Sequence, residues 1–203
     1  MTITNGYATL NEYKKNYQRI GVDDTDANDD AFIEMDIEAA SRWIDQQSGT
    51  RFYTTSADES RKFTAPADGR GQILFDEYCL SITSVTNGDG SSVSTSSLLY
   101  YPTNSTPYYG IALKAGSTLW QPDSNGNFEA AITVTGKFGS ASVVPSDVKL
   151  ACLEIARALY GRRFGQNMMT KTVITPAGVV QIPEGVPDWA AQAIGNRRRI
   201  GFA

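Results

Sequence analysis

Apolar positions in the first fifty residues fall at helical intervals. Leu10, Tyr13, Tyr17 and Ile20 share one face of a helix that Gly21 ends. Thr9 followed by Glu12 opens it as a capping box, in which hydroxyl and carboxylate satisfy each other's backbone N–H groups. A second series, Phe32, Ile33, Ile37, Ala40 and Ile44, predicts a longer helix with Gly49 in the position that closes it. Asp23, Asp24, Asp26, Asp29 and Asp30 stand before that helix, where its positive dipole end favours carboxylates. Far along the chain, Pro145 and Ser146 introduce a third helix with Val148, Cys152, Ile155 and Leu159 in one stripe. Its Ala151, Ala156 and Ala158 allow close helix approach, and Arg157, Arg162 and Arg163 fall toward its negative end before Gly161 or Gly165 stops it. The expected helices are 9–20, 28–48 and 146–164.

From Arg51 to about Ser142 the pattern changes to short apolar pieces between turn residues, which reads as β structure. The clearest strand is Phe128 to Phe138, where Phe128, Ala130, Ile132, Val134, Gly136 and Phe138 alternate with Glu129, Ala131, Thr133, Thr135 and Lys137. Ile73 with Phe75, Leu80 with Ile82, Leu98 with Tyr100, and Ile111 with Leu113 are weaker strand signals, and Asn87-Gly88-Asp89-Gly90 marks a turn. Near the end, Lys171 to Ile174 and Val179 to Ile182 flank Thr175-Pro176-Ala177-Gly178 as a hairpin. Pro187-Asp188-Trp189 then opens a short amphipathic segment. The expected class is α+β: a small helical bundle of three main helices (1–50 and 143–165), a large inserted antiparallel β subdomain (51–142), and an extended C-terminal arm (166–203) of hairpin plus short helix. Apolar residues in an arm too small to bury them alone suggest docking onto a neighbouring chain.

Composition narrows the chemistry. Of 203 residues 41% are hydrophobic, enough for a sizeable core, and none is histidine. The side chain best suited to proton transfer near neutral pH, and the commonest metal ligand, is therefore missing. Cys79 and Cys152 lie far apart in apolar surroundings without zinc or redox spacing; buried reduced thiols are the favoured reading over a long-range disulfide. The stretch from Asp24 resembles a calcium loop only in its alternating oxygens, since its sixth position is Asp29 rather than glycine and its twelfth is Met35 rather than glutamate. Helix capping and solvation account for it better. No phosphate-binding or nucleophile-elbow motif occurs, and Gly69-Arg70-Gly71 and Gly88-Asp89-Gly90 read as turns. No catalytic, metal or cofactor residue is assigned, and no enzyme is expected. The start has no signal-peptide pattern and no stretch is apolar enough to span a membrane, so synthesis in a reducing cytoplasm is expected.

Charge is unevenly spread. Residues 1–49 carry 4 basic and 10 acidic groups (−6), 50–145 carry 6 and 8 (−2), and 146–203 carry 8 and 4 (+4), which sum to the net −4. Such polarity suits a subunit that meets unlike surfaces at opposite ends, or simply two solvated faces. Tyr53, Tyr100, Tyr101, Tyr108, Tyr109 and Trp120 enrich the β region, where core packing and subunit contact compete with a ligand platform. Arg197, Arg198 and Arg199 are open to three readings: an acidic partner surface, DNA, or water.

Several stretches together resemble the head-to-tail connector, or adaptor, proteins of tailed bacteriophages. They are Thr9-Leu10-Asn11-Glu12-Tyr13, the acidic turn Asp23 to Asp30, Ala39-Ala40-Ser41-Arg42-Trp43-Ile44, Val144-Pro145-Ser146-Asp147-Val148-Lys149-Leu150-Ala151 and Ala158-Leu159-Tyr160-Gly161-Arg162-Arg163. The resemblance implies a homo-oligomeric ring, commonly twelve-fold, placed in the virion neck between the portal and a stopper or tail protein. It also implies a part in genome packaging and ejection, with transient contact to channel DNA and production in the host bacterial cytoplasm. By position, the counterpart of the family's portal-docking arm runs from Trp189 to Ala203, with Trp189, Ile194, Arg197, Arg198, Arg199, Ile200 and Phe202 at the interface. The inserted region from Arg51 to Ser142 is longer than the family usually carries. The competing readings are a tail-tube or tail-completion protein, a ligand-binding β module built on the tyrosines, and a nucleic-acid-binding protein.

Overall fold

The computed structural model describes residues 3, 5–17, 27–116, 118–163, 170–175, 178–183 and 186–197. Two compact units emerge, one made of Met1–Gly49 with Val144–Ala203 and the other of Thr50–Val143.

In the first unit, helix α1 spans Leu10–Tyr17 and begins on the capping box. The Thr9 N–H donates to Glu12 Oε2 at 2.9 Å and the Glu12 N–H donates to Thr9 Oγ1 at 3.2 Å. Ile20 and Gly21, which the periodicity placed at its end, lie outside the described residues. Helix α2 spans Asp30–Ser48 and stops at Gly49, whose φ of 66° is left-handed and whose N–H returns to the Asp45 carbonyl at 2.9 Å. Its Ile33, Ile37, Ala40 and Ile44 are sealed in the core, but Phe32 is not: it is 41% exposed, with the Arg163 guanidinium over its ring. Helix α3 spans Ser146–Arg163 and packs on α2 through Val148, Ala151, Cys152, Ile155 and Ala156, the small residues letting the backbones close up. Leu159 and Ala158, at the end of the stripe, are only half-buried.

The second unit is a six-stranded antiparallel sheet. Strand β1 is Glu59–Phe63, β2 Gln72–Thr86, β3 Ser92–Val93, β4 Leu98–Tyr101, β5 Tyr108–Leu113 and β6 Ile132–Phe138. The order is β1-β6-β2-β5-β4, with β3 hairpinned onto the end of β2 across the Asn87–Gly90 turn. Two of the sequence signals, Ile73/Phe75 and Leu80/Ile82, belong to one long strand. Its first part pairs with β5 and its second with β6, and the register shifts between Cys79 and Ser81 and again between Ile82 and Ser84. These shifts break the period-two pattern, so one strand reads as two. The strand expected from Phe128 begins only at Ile132, because Ala130 takes a left-handed φ of 49° and turns the chain. From there Ile132, Val134 and Phe138 enter a core shared with Phe63, Ile73, Phe75, Cys79, Ile111 and Trp120. Burying one such large side chain contributes about 1.5–3 kcal/mol.

Back in the first unit, β7 (Thr170–Thr175) and β8 (Gly178–Pro183) form the expected hairpin, in register from Thr175↔Gly178 to Thr170↔Pro183. Helix α4, Asp188–Gly195, follows and lies against α3 and α2 with Ala190 and Ile194 sealed.

Candidate functional site

Among the described residues, the enclosed charged groups form ion pairs within their own unit. In the first unit, nearly buried Lys14 reaches Asp30 at 2.5 Å, so the last turn of α1 is tied to the start of α2. Asp36, 2% exposed, sits 2.5 Å from the Arg163 guanidinium. Burial raises its carboxyl above the ordinary range against the pull of that arginine. Asp29, at the head of α2, makes no side-chain cap; its carboxylate accepts the Tyr160 hydroxyl at 2.6 Å. Lys149 pairs with Glu12 at 2.6 Å, and the Tyr7 hydroxyl donates to Asp45. Tyr13 stacks edge-on with Tyr17 and Tyr160, and burial drives both Tyr13 and Tyr17 far above the ordinary phenol range. Ser41 joins this fabric: it donates to the Ile37 carbonyl at 2.8 Å, accepts the Tyr7 N–H at 3.0 Å and lies 3.4 Å from Cys152 Sγ.

In the second unit, two arginines and two glutamates close a cycle. Arg51 reaches Glu59 at 2.5 Å and Glu77 at 2.9 Å, while Arg61 reaches Glu59 at 2.9 Å and Glu77 at 2.8 Å. The Arg61 guanidinium also lies over the Phe138 ring, 4.4 Å from its centroid. Each charge meets its opposite. Both cysteines are free and buried, Cys79 in the sheet core and Cys152 in the helical core. Burial lifts their thiols to about 12 and about 11. Among the described residues no group of three or more His, Cys, Asp or Glu side chains could hold a metal ion. Asp23, Asp24 and Asp26 of the acidic run lie outside them. No helix among the described residues is long and apolar enough to cross a membrane.

What remains are surfaces. On the C-terminal segment, Trp189 is 40% exposed on α4, while Ile194 on the same helix is 1% exposed and used inside its own unit. Arg197 grips Asp147 at the start of α3 with two bonds of 2.7 and 3.0 Å, and holds that carboxyl below the usual range. Arg198, Arg199, Ile200 and Phe202 lie outside the described residues. On α2, Phe32, Met35 and Ala39 leave an exposed apolar stripe opposite the buried one. The sequence reading assigned Phe32 to the core and missed this stripe, although Phe32, Met35 and Ala39 do stand three and four residues apart. In the sheet, Tyr100 pairs with Tyr108 at 4.9 Å and Tyr101 with Tyr109 at 6.3 Å, each ring half-buried. They pack strand against strand. Trp120 is no part of a platform: it is sealed in the core with its indole N–H donated to the Gly71 carbonyl. A cavity of about 310 Å³ opens elsewhere, between Gly69-Arg70-Gly71 and the Leu113 to Leu119 loop.

No family model matches the chain, and no curated protein matches it. Solved structures do. The chain is similar to a component of the neck of an empty gene transfer agent particle computed with C6 symmetry, with a TM-score of 0.57 and 13% identity over 100% of this chain and 95% of that one. It is equally similar to a chain in the virion of the native gene transfer agent particle, with a TM-score of 0.57, 14% identity and the same coverage. At that identity the likeness is one of fold, and it extends over both units.

Proposed function

We propose that this chain is a structural, non-enzymatic subunit of a phage-like neck, which assembles as a ring between the portal and the stopper or tail and continues the DNA channel. The observation that carries the reading is the full-length match of fold to components of such a particle, insertion included. The disposition of charge supports it, since enclosed ionic groups are paired within each unit and the two ends of the chain differ in sign. The ring size is twelve on the family resemblance, a number compatible with the six-fold axis of the similar neck. Portal docking falls to Trp189 and the basic, apolar segment Arg197 to Phe202. Ile194 serves it indirectly, by seating α4.

Removal of residues 187–203 would also strip Ala190 and Ile194 from the helical core, so truncation after Arg197 is the cleaner test. Particles that carry the truncated chain are expected to stall as heads without tails, while the purified protein keeps its melting temperature. Tailed, infectious particles from the truncated chain would refute the assignment of docking to the segment beyond Arg197. Density for the full chain anywhere but at the neck, in particles imaged by electron microscopy, would refute the reading as a whole.

A further inference from the structure

The sheet edges of this protein are not treated alike. Strand β1, one outer strand of the large sheet, carries Glu59, Arg61 and Lys62, the kind of charge that discourages another strand from adding. Strand β4, the other outer strand, is four residues long and runs straight into Pro102. The β7–β8 hairpin is protected far less: it carries one charged residue, and its proline, Pro183, stands only at the far end of β8, leaving the rest of both edges open. Its strands are six residues each, Thr-Lys-Thr-Val-Ile-Thr and Gly-Val-Val-Gln-Ile-Pro, with Lys171 as their single charge. They pair with each other and with no other described strand. A two-stranded hairpin of this size is marginal in water, whereas three or more strands are not.

The register says which backbone groups are spare. Thr175 and Gly178 flank a two-residue connection, and bonded and non-bonded pairs alternate along an antiparallel ladder. With the closing pair bonded, the N–H groups of Thr172, Ile174, Val179 and Gln181 face away from the hairpin on its two sides. Pro183, opposite Thr170, falls in the same outward class, where the missing N–H costs the hairpin nothing.

We infer that hairpins of adjacent copies pair edge to edge, β8 of one copy against β7 of the next, so that the ring is lined by one continuous antiparallel β collar. This rests on the ring reading above and names its contact. Rotation about an axis along the hairpin brings a β8 edge to an antiparallel β7 edge at every interface. The contact is heterologous and closes on itself, leaving no edge unpaired. Each copy contributes two strands, so the collar works for any ring size.

Hydrogen exchange on the full chain, free and in assembled rings or particles, tests it when read amide by amide from fragmented peptides spanning residues 170–183. In the free chain Ile174 and Gln181 are expected to exchange at open-chain rates and Val173 and Val180 more slowly; in the ring all four are expected to be slow. Rings in which Ile174 and Gln181 still exchange freely would overturn the collar and leave the neck reading standing. Equal protection of all four already in the free chain would overturn it too, since the edges would then be covered within one copy. A Gln181→Pro chain, which keeps the hairpin's own bonds, is expected to be under-represented when mixed with wild type during assembly; equal incorporation counts against the collar. A chain that enters the particle without forming rings defeats the ring reading itself, whatever its amides do.

Discussion

Gly136 shows what a single position must be in this protein. A Cβ placed there would stand 2.1 Å from the Ser81 carbonyl oxygen and 3.0 Å from Ile82 Cα, both backbone, at the point where the β2–β6 register shifts on either side of Ile82. Side chains can swing away from a methyl group, but two paired strands cannot. Gly136→Ala is expected to destabilise the sheet unit by about 1–3 kcal/mol or to shift the β2–β6 register, read from a denaturant titration and from amide exchange in residues 79–86. In the sequence, Gly136 was one more member of an alternating strand, since the carbonyl that excludes a larger residue belongs to a partner far along the chain. Thr9 and Glu12 are the opposite case: their reciprocal bonds span three residues, and the spacing alone revealed them. Ala130 was legible in neither way. Nothing in alanine announces a left-handed turn, and the strand was therefore drawn four residues too long.

At the scale of elements, the helices were readable because their apolar period and their stops are local properties. The sheet was readable in part. Strand β1 gave no signal, since Glu59, Arg61 and Lys62 look like a solvated loop until Glu77, sixteen residues after Arg61, is seen to complete the ionic cycle. That cycle makes β1 a charged strand with a reason. Its four side chains are between 15 and 25% exposed, so its loss should cost less than the ~3–5 kcal/mol of a fully buried pair. Glu77→Ala, which deprives both arginines of a partner, is expected to cost about 1–2 kcal/mol, measured by urea unfolding. The pH dependence follows from Glu59. Burial pushes its carboxyl up, but hydrogen bonds from Arg61 and Arg51 more than offset this and hold it below its ordinary value near 4.5. A depressed carboxyl adds stability that is complete above the unfolded value and lost as pH falls through the folded one. The sheet unit should therefore lose stability on acidification below about 4.5, and Glu59→Gln should flatten that loss.

At the scale of the whole molecule, the strand order and the seating of α4 were not legible in the sequence, since both depend on which distant faces meet. The division into two units is the feature with the widest reach. Each unit has one cysteine sealed at its centre, Cys152 among the helices and Cys79 in the sheet, and the chain has no others. Alkylation of either thiol has to wait for its own unit to open, because burial both hides the sulfur and suppresses its thiolate. The protein thus holds a pair of internal clocks. A mass-spectrometric time course with a thiol reagent is expected to show two labelling rates, with Gly136→Ala hastening Cys79 alone. If the two cysteines label in lockstep under every substitution, the units open together as one. Such clocks would report which half of the chain yields first.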